Sequence, residues 1–192
     1  MKYEIETYGK KNLFFTSDTH FFHDKIVEYS QRPFAGVEEM NEELIARWNS
    51  VVHRDGIVFH LGDFCFGKPD KWNHILDRLK GRIYLVLGNH DAGHISEEVA
   101  ERFEAVAFQM RLNVNGQKIY LNHFPFLSYS GDNHGTWQLF GHIHSNLHNY
   151  NIIDKHRLAV LQPGQYDVGV DNNNFTPVSY RQVEEIIKNR KL

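Results

Sequence analysis

Five short pieces of this chain each place a metal-ligand residue directly after a run of β-type side chains. In order they are Asp18-Thr19-His20, Gly62-Asp63, Gly88-Asn89-His90-Asp91, Asn122-His123 and Gly141-His142-Ile143-His144. The runs that precede them are 13–16, 57–60, 83–87, 119–121 and 137–140. Strands that release a His, Asp or Asn at their ends, one after another, build a polar cluster along one sheet edge. That edge is where open α/β sheets bind ligands. Imidazole, carboxylate and amide donors without a thiolate suit divalent first-row metals such as Mn, Fe, Co or Zn.

The segments between these pieces predict the layering. Residues 37–52 place Val37, Met40, Leu44, Trp48, Val51 and Val52 at helical spacing. Glu38, Glu39, Glu42 and Glu43 form the solvated face of that helix. A second helix carries Trp72, Ile75, Leu76 and Leu79, with Gly81 as its stop. Between them 57–60 and 83–87 read as strands buried on both faces. This alternation implies parallel pairing through right-handed crossovers.

The second half changes character. Runs 106–114 and 117–121 flank Asn115-Gly116, a strong hairpin signal. Further strands are expected at 137–140, 158–161 and 166–170, and 2–8 is expected to form a hairpin with the run from Leu13. The chain closes on a helix capped by Ser179, with Gln182 at the capping-box position and Val183, Ile186 and Ile187 facing inward. A parallel α/β half followed by an antiparallel half implies two packed sheets with helices outside.

The 192 residues show no internal repeat or linker, so one domain spanning 1–192 is expected. A net charge of −3 gives no general attraction to nucleic acid or acidic membranes, so strong nucleic-acid binding is not expected. With one cysteine, Cys65, no internal disulfide forms; flanked by Phe64 and Phe66, it reads as a core residue. No apolar leader and no membrane-length apolar run is present, so the cytoplasm is the expected compartment, without membrane contact.

Asp-x-His, Gly-Asp, Gly-Asn-His-Asp, a lone His and Gly-His-x-His in this order resemble the calcineurin-like metallophosphoesterase superfamily. The resemblance runs from Asp18 to His144. Arg32-Pro33-Phe34, Glu38-Glu39-Met40-Asn41 and Val168-Gly169-Val170-Asp171 are similar to a compact bacterial and phage-type branch of it. The resemblance implies a four-layer α/β/β/α sandwich of two mixed sheets and a metal-dependent phosphoesterase. It implies that Asp18, His20 and His144 hold one metal, that Asn89, His123 and His142 hold a second, and that Asp63 bridges them. By the same resemblance His90 donates a proton to the leaving oxygen or stabilises the phosphoryl charge, Asp91 orients His90, and a hydroxide bridging the metals is the nucleophile.

The chemistry agrees with that implication. Phosphate esters are anionic and resist an anionic nucleophile; two cations about 3.5–4 Å apart screen that charge and supply hydroxide at neutral pH. Seven candidate ligands, with Asp63 counted twice, fill the eight protein positions that two metals need. Mn is the first expectation for both divalent ions, with Fe, Zn, Ni or Co also compatible.

The expected substrate is a small phosphate ester, and a phosphodiesterase acting on a nucleotide-type ester is the leading reading. A phosphomonoesterase or nuclease of the same superfamily, and a non-catalytic metal-binding scaffold, are the alternatives. His23, Arg32 and His148 are candidates for contacts to the substrate phosphate. The aromatics of 124–131 either stack on a nucleobase or pack over the site. His53, His60, His74, His94 and His156 read as structural or surface residues. Pairing of copies through an exposed face is compatible with this sequence.

Overall fold

The computed structural model describes residues 3–7, 12–145, 156 and 158–190. Its elements are β1 (Tyr3–Thr7), β2 (Leu13–Thr16), α1 (Ile26–Tyr29), α2 (Val37–Val51), β3 (Ile57–His60), α3 (Pro69–Leu76) and β4 (Arg82–Val86). There follow α4 (Glu97–Ala100), β5 (Ala105–Ala107), β6 (Gln109–Val114), β7 (Gln117–Asn122), β8 (Trp137–Phe140), β9 (Gln165–Asp167), β10 (Val178–Ser179) and α5 (Tyr180–Asn189). Two five-stranded mixed sheets result. The first runs β10-β2-β3-β4-β5, with only β10 antiparallel to its neighbour. The second runs β1-β6-β7-β8-β9, with only β6 and β7 antiparallel.

The pleat divides the apolar side chains of the first sheet between two cores. Leu13, Phe15, Phe59 and Val86 join Leu112, Ile119, Leu121 and Leu139 of the second sheet. Val58, Ile83 and Leu85 share the other core with Leu44 and Trp48 of α2 and Trp72 and Ile75 of α3. Strands filled on both faces explain the unbroken apolar runs, since burying each such side chain is worth about 1.5–3 kcal/mol. On β6 and β7 the inner residues alternate with half-exposed or exposed Arg111, Asn113 and Lys118.

Local signals hold where the backbone demands them. Asn115 and Gly116 take φ of 49° and 88°, the two positive angles of a type I′ hairpin. Ser179 Oγ accepts the Gln182 N–H while the Gln182 side chain takes the Ser179 N–H, closing the capping box of α5. That helix sets Val183 and Ile187 into the core between the sheets. Cys65 is buried, and burial pushes its thiol pKa up, away from thiolate reactivity. Among the described residues no helix is long and apolar enough to cross a membrane.

Four expectations change. The second half of the chain is not antiparallel throughout: β6 and β7 pair that way, while β7 with β8 and β8 with β9 are parallel. β1 does not form a hairpin with β2: it pairs parallel with β6, Tyr3 opposite Met110, and β2 belongs to the other sheet. β2 is flanked by β10 and β3, so both of its hydrogen-bonding edges are taken. The run 106–114 is not one strand. It breaks at exposed Phe108, where the chain leaves β4 and crosses into the second sheet. At 158–161 the chain turns instead of extending: Leu158 and Ala159 are helical and the Leu161 N–H reaches the Leu158 carbonyl at 3.2 Å.

Candidate metal centre

The loops after β2 and β3 are laced together before any side chain is considered. The Asp18 N–H donates to the Gly62 carbonyl at 2.9 Å, the His20 N–H to Asp63 at 3.0 Å and the Phe21 N–H to Phe64 at 2.9 Å. The loop after β8 joins them where the His142 N–H meets both carboxylate oxygens of Asp18, at 3.1 and 2.9 Å. Two glycines make this approach possible. A Cβ at Gly88 would overlap the backbone and carboxylate of Asp63, and one at Gly141 would overlap Ser17 Oγ and Asp18 Oδ2.

The structure brings all seven expected ligand residues together. Asp18, His20 and His144 form one group and Asp63, His123 and His142 another, with the donor atoms of each group within 4.8 Å of one another. Asn89 Oδ1 lies 3.0 Å from His123 Nε2, which attaches it to the second group. Asp63 Oδ2 stands between the groups, 3.6 Å from His20 Nε2 and 3.5 Å from His123 Nε2. Five of these residues, Asp18, His20, Asp63, His142 and His144, take positive φ between 46° and 70°. Left-handed backbone costs a non-glycine residue on the order of 1–3 kcal/mol and concentrates at functional sites.

The imidazole tautomers suit cations. His144 Nδ1 donates to Asp171 Oδ2 at 2.8 Å, and His123 Nδ1 to the Leu61 carbonyl at 2.7 Å, since both partners can only accept. In the neutral rings each Nε2 then keeps its lone pair and faces the carboxylates. His144 Nε2 meets His20 Nε2 at 3.2 Å, a contact that needs a cation or a proton nearby. The donor set therefore fits two divalent metals.

The local charges carry the same message. Burial opposes protonation of His123, but Asp63 and Asp18 outweigh it and raise its pKa to about 9. For His144, Asp171 and Asp18 outweigh burial and raise the pKa. His20 is pushed well below its ordinary value by burial and then by His144. His142 is lowered by burial and by His123. Carboxylates that attract a proton this strongly offer the same attraction to a metal ion.

His90 is exposed, with its backbone N–H on Asp63 Oδ1 at 2.9 Å and its ring centroid 5.6 Å from that of His20. His23 borders the same space, edge-on to Phe66 at 4.1 Å, with its Nδ1 buried and unpartnered among the described residues. His148 lies outside the described residues. His60 is buried, joined to Thr19 Oγ1 at 3.0 Å and held neutral by burial with a pKa of about 3, a structural histidine.

Asp91 and Arg32 have partners that the sequence did not show. Asp91 lies beneath the ligand loops. Its carboxylate accepts the N–H groups of Asp63, Phe64 and Gly88 at 2.7, 2.9 and 2.9 Å, which uses both oxygens on the loops beneath the ligands. Arg32 lies under the same loops. It is buried, pairs both oxygens of Asp171 at 2.9 Å, and donates to the carbonyls of Asp18 and Thr19 at 2.6 and 3.0 Å. Asp171 in turn holds His144. The sequence flagged this aspartate only as the end of Val168-Gly169-Val170-Asp171; the conjunction with Arg32, 139 positions away, is a fact of the fold.

A family model described as a calcineurin-like phosphoesterase superfamily domain matches residues 12–180. An uncharacterized protein of Methanocaldococcus jannaschii is 35% identical over 185 residues, covering 95% of this chain and 94% of that protein. The gene 66 protein of Mycobacterium phage L5 is 32% identical over 185 residues, covering 83% of this chain and 86% of that protein. A crystal structure of a protein of unknown function from Aquifex aeolicus shares the fold with a TM-score of 0.68 at 24% identity, covering 91% of this chain and 98% of that one.

Proposed function

This chain belongs to the calcineurin-like phosphoesterase superfamily and is a metal-dependent phosphoesterase, and we propose that it is a two-metal phosphodiesterase acting on a small nucleotide-type ester. The position of Asp63 Oδ2, 3.6 Å from one group's His20 and 3.5 Å from the other's His123, supports the two-metal part of this reading. Asp18, His20 and His144 would hold one ion, Asn89, His123 and His142 the other, and Asp63 both. Two divalent ions, Mn²⁺ being the first to test, would supply charge neutralisation for the phosphoryl group and lower the pKa of water toward about 7.

The remaining chemistry belongs to side chains. The exposed imidazole of His90 stands beside His20 on the open side of the cluster. From there a ring nitrogen can pass a proton to the departing ester oxygen, as general acids of suitable pKa do. His23, whose ring lies 6.3 Å from that of His90, would hydrogen-bond a phosphate oxygen. Asp91 keeps the Asp63 and Gly88 loops in register, and Arg32 with Asp171 fixes the ring of His144.

The test is hydrolysis of bis-p-nitrophenyl phosphate against p-nitrophenyl phosphate by metal-stripped protein with Mn²⁺ restored. Metal-dependent cleavage that favours the diester supports the proposal. Preference for the monoester would replace it with a phosphomonoesterase.

A further inference from the structure

We propose that the apolar pocket lined by Phe124, Phe126, Leu127, Val160, Leu161 and His142 is a substrate subsite for a flat, uncharged ring on the ester group. The inference rests on the metal-centre reading above, because the pocket opens from that centre. His142, a member of the second candidate metal group, is also part of the pocket wall. The Phe124 ring sits edge-on at 4.5 Å from His142 and 4.9 Å from His123. A phosphate held at that group therefore has one of its ester substituents directed along this wall or away from it.

The chemistry of the wall selects the occupant. Its volume is about 340 Å³, at the small end of ligand pockets. No Lys, Arg, Asp or Glu is among its described lining residues, so neither a second phosphate nor a cationic group finds a partner there. Leu127 and Val160 are 82% and 63% exposed, a cost that a surface bears more readily when a ligand covers it.

The wall is also built to keep its shape. Gln138 Nε2 donates to the Phe124 carbonyl at 2.8 Å, and its Oε1 accepts the Phe126 N–H at 3.0 Å. Gln165 Nε2 donates to the Phe126 carbonyl at 2.8 Å and Gln162 Nε2 to the Leu127 carbonyl at 3.1 Å. Gln138 and Gln165 are completely buried and joined to each other. Three glutamines thus clamp loop 124–127 before substrate arrives, the arrangement that lowers the entropic cost of binding. Each of those three carbonyls already accepts one of these bonds, which leaves the wall mainly apolar side chains to offer a ligand. The ring is recognised by shape and stacking, which tolerates different rings.

The experiment measures binding of three phosphonates to the Mn²⁺-loaded full chain by calorimetry: methylphosphonate, phenylphosphonate and an adenine-bearing phosphonate. The expected result is that the ring-bearing compounds bind at least about tenfold tighter than methylphosphonate, or about 1.4 kcal/mol. In Leu127→Asp and Val160→Asp, both at exposed positions, that ratio is expected to fall to within about twofold of one. Tighter binding of the adenine compound than of the phenyl one upholds the subsite and makes its occupant a nucleobase. Equal or tighter binding of the phenyl compound upholds it for a simple apolar ring. Equal binding of all three, or a ring advantage that survives both substitutions, overturns the inference alone. Absence of any Mn²⁺-dependent phosphonate binding overturns the metal-centre reading and the subsite with it.

Discussion

The Asp91 carboxylate holds Asp63 through its backbone, accepting the Asp63 N–H at 2.7 Å from a fully buried position. Its second oxygen takes the Phe64 N–H at 2.9 Å, and the first is shared with Gly88. The residue that stands between the two candidate metal groups is thus fixed in place through its backbone by a neighbour that is itself in neither group. An Asp91→Asn protein presents an amide NH₂ to a donor that needs an acceptor. Leaving a buried N–H unpaired costs about 1–3 kcal/mol, and each kcal/mol lowers Tm by roughly 2–4 °C in a chain of this size. Thermal melts and metal titration should show weaker folding and weaker metal binding together. An unchanged Tm with slower turnover would return Asp91 to the role of orienting His90.

Arg32→Met separates a brace from a phosphate contact. Arg32 and Asp171 are both buried and bound at 2.9 Å, so the substitution strands a carboxylate without its partner. Burial resists the charge on Asp171, and Arg32 with His144 holds its pKa down at about 2, so losing Arg32 removes a main support of that buried charge. Breaking a buried pair on one side costs about 3–5 kcal/mol. Urea unfolding of the metal-free protein should show that loss. A stable variant with only a raised KM would mean that Arg32 serves substrate.

His90→Ala should keep the metals and lose turnover. The ring of His90 is exposed, and only its backbone N–H reaches Asp63, a bond that alanine retains. General acid catalysis contributes roughly 10²–10⁴-fold, so kcat on an ester with a poor leaving group should fall by that range. Metal content measured on the same sample should match the parent. Loss of metal would make His90 a ligand.

Metal binding should release a proton with a defined pH range. Asp63 and Asp18 raise His123 to about 9 against the pull of burial, so the metal-free centre carries a proton there at neutral pH. A metal ion must displace it. Calorimetry in two buffers of different ionisation heat should find about one such proton released below pH 9. The release should fade as pH rises through 9, and affinity should weaken as pH falls below it. Proton release independent of pH between 7 and 10 would contradict this ordering.

Five of the seven candidate ligands could be picked out because they come at the end of an apolar run, and a strand end is where a backbone hands its next side chain to a sheet edge. Asp18, Asp63, Asn89, His123 and His142 all follow this rule. What pattern does not carry is the backbone after the strand: Asp18, His20, Asp63, His142 and His144 are left-handed, a state that their residue types disfavour and only the surrounding contacts impose. The contacts of Asp91 and Arg32 were hidden for a related reason. Both are charged residues inside motifs, and pattern alone does not show the three N–H groups around one or the buried carboxylate against the other. In the fold, the helices α2 and α3 and the Asn115-Gly116 hairpin depend on local sequence. The parallel pairing of β1 with β6 and the sheet change at Phe108 depend on partners far along the chain.

The central claim is that two metal ions share Asp63. Metal content per chain, measured by elemental analysis after loading and desalting, tests it in three proteins. The account expects about two ions in the parent, about one in His144→Ala and none in Asp63→Ala, because His144 serves one group and Asp63 both. One ion in the parent, or two retained in Asp63→Ala, would contradict it.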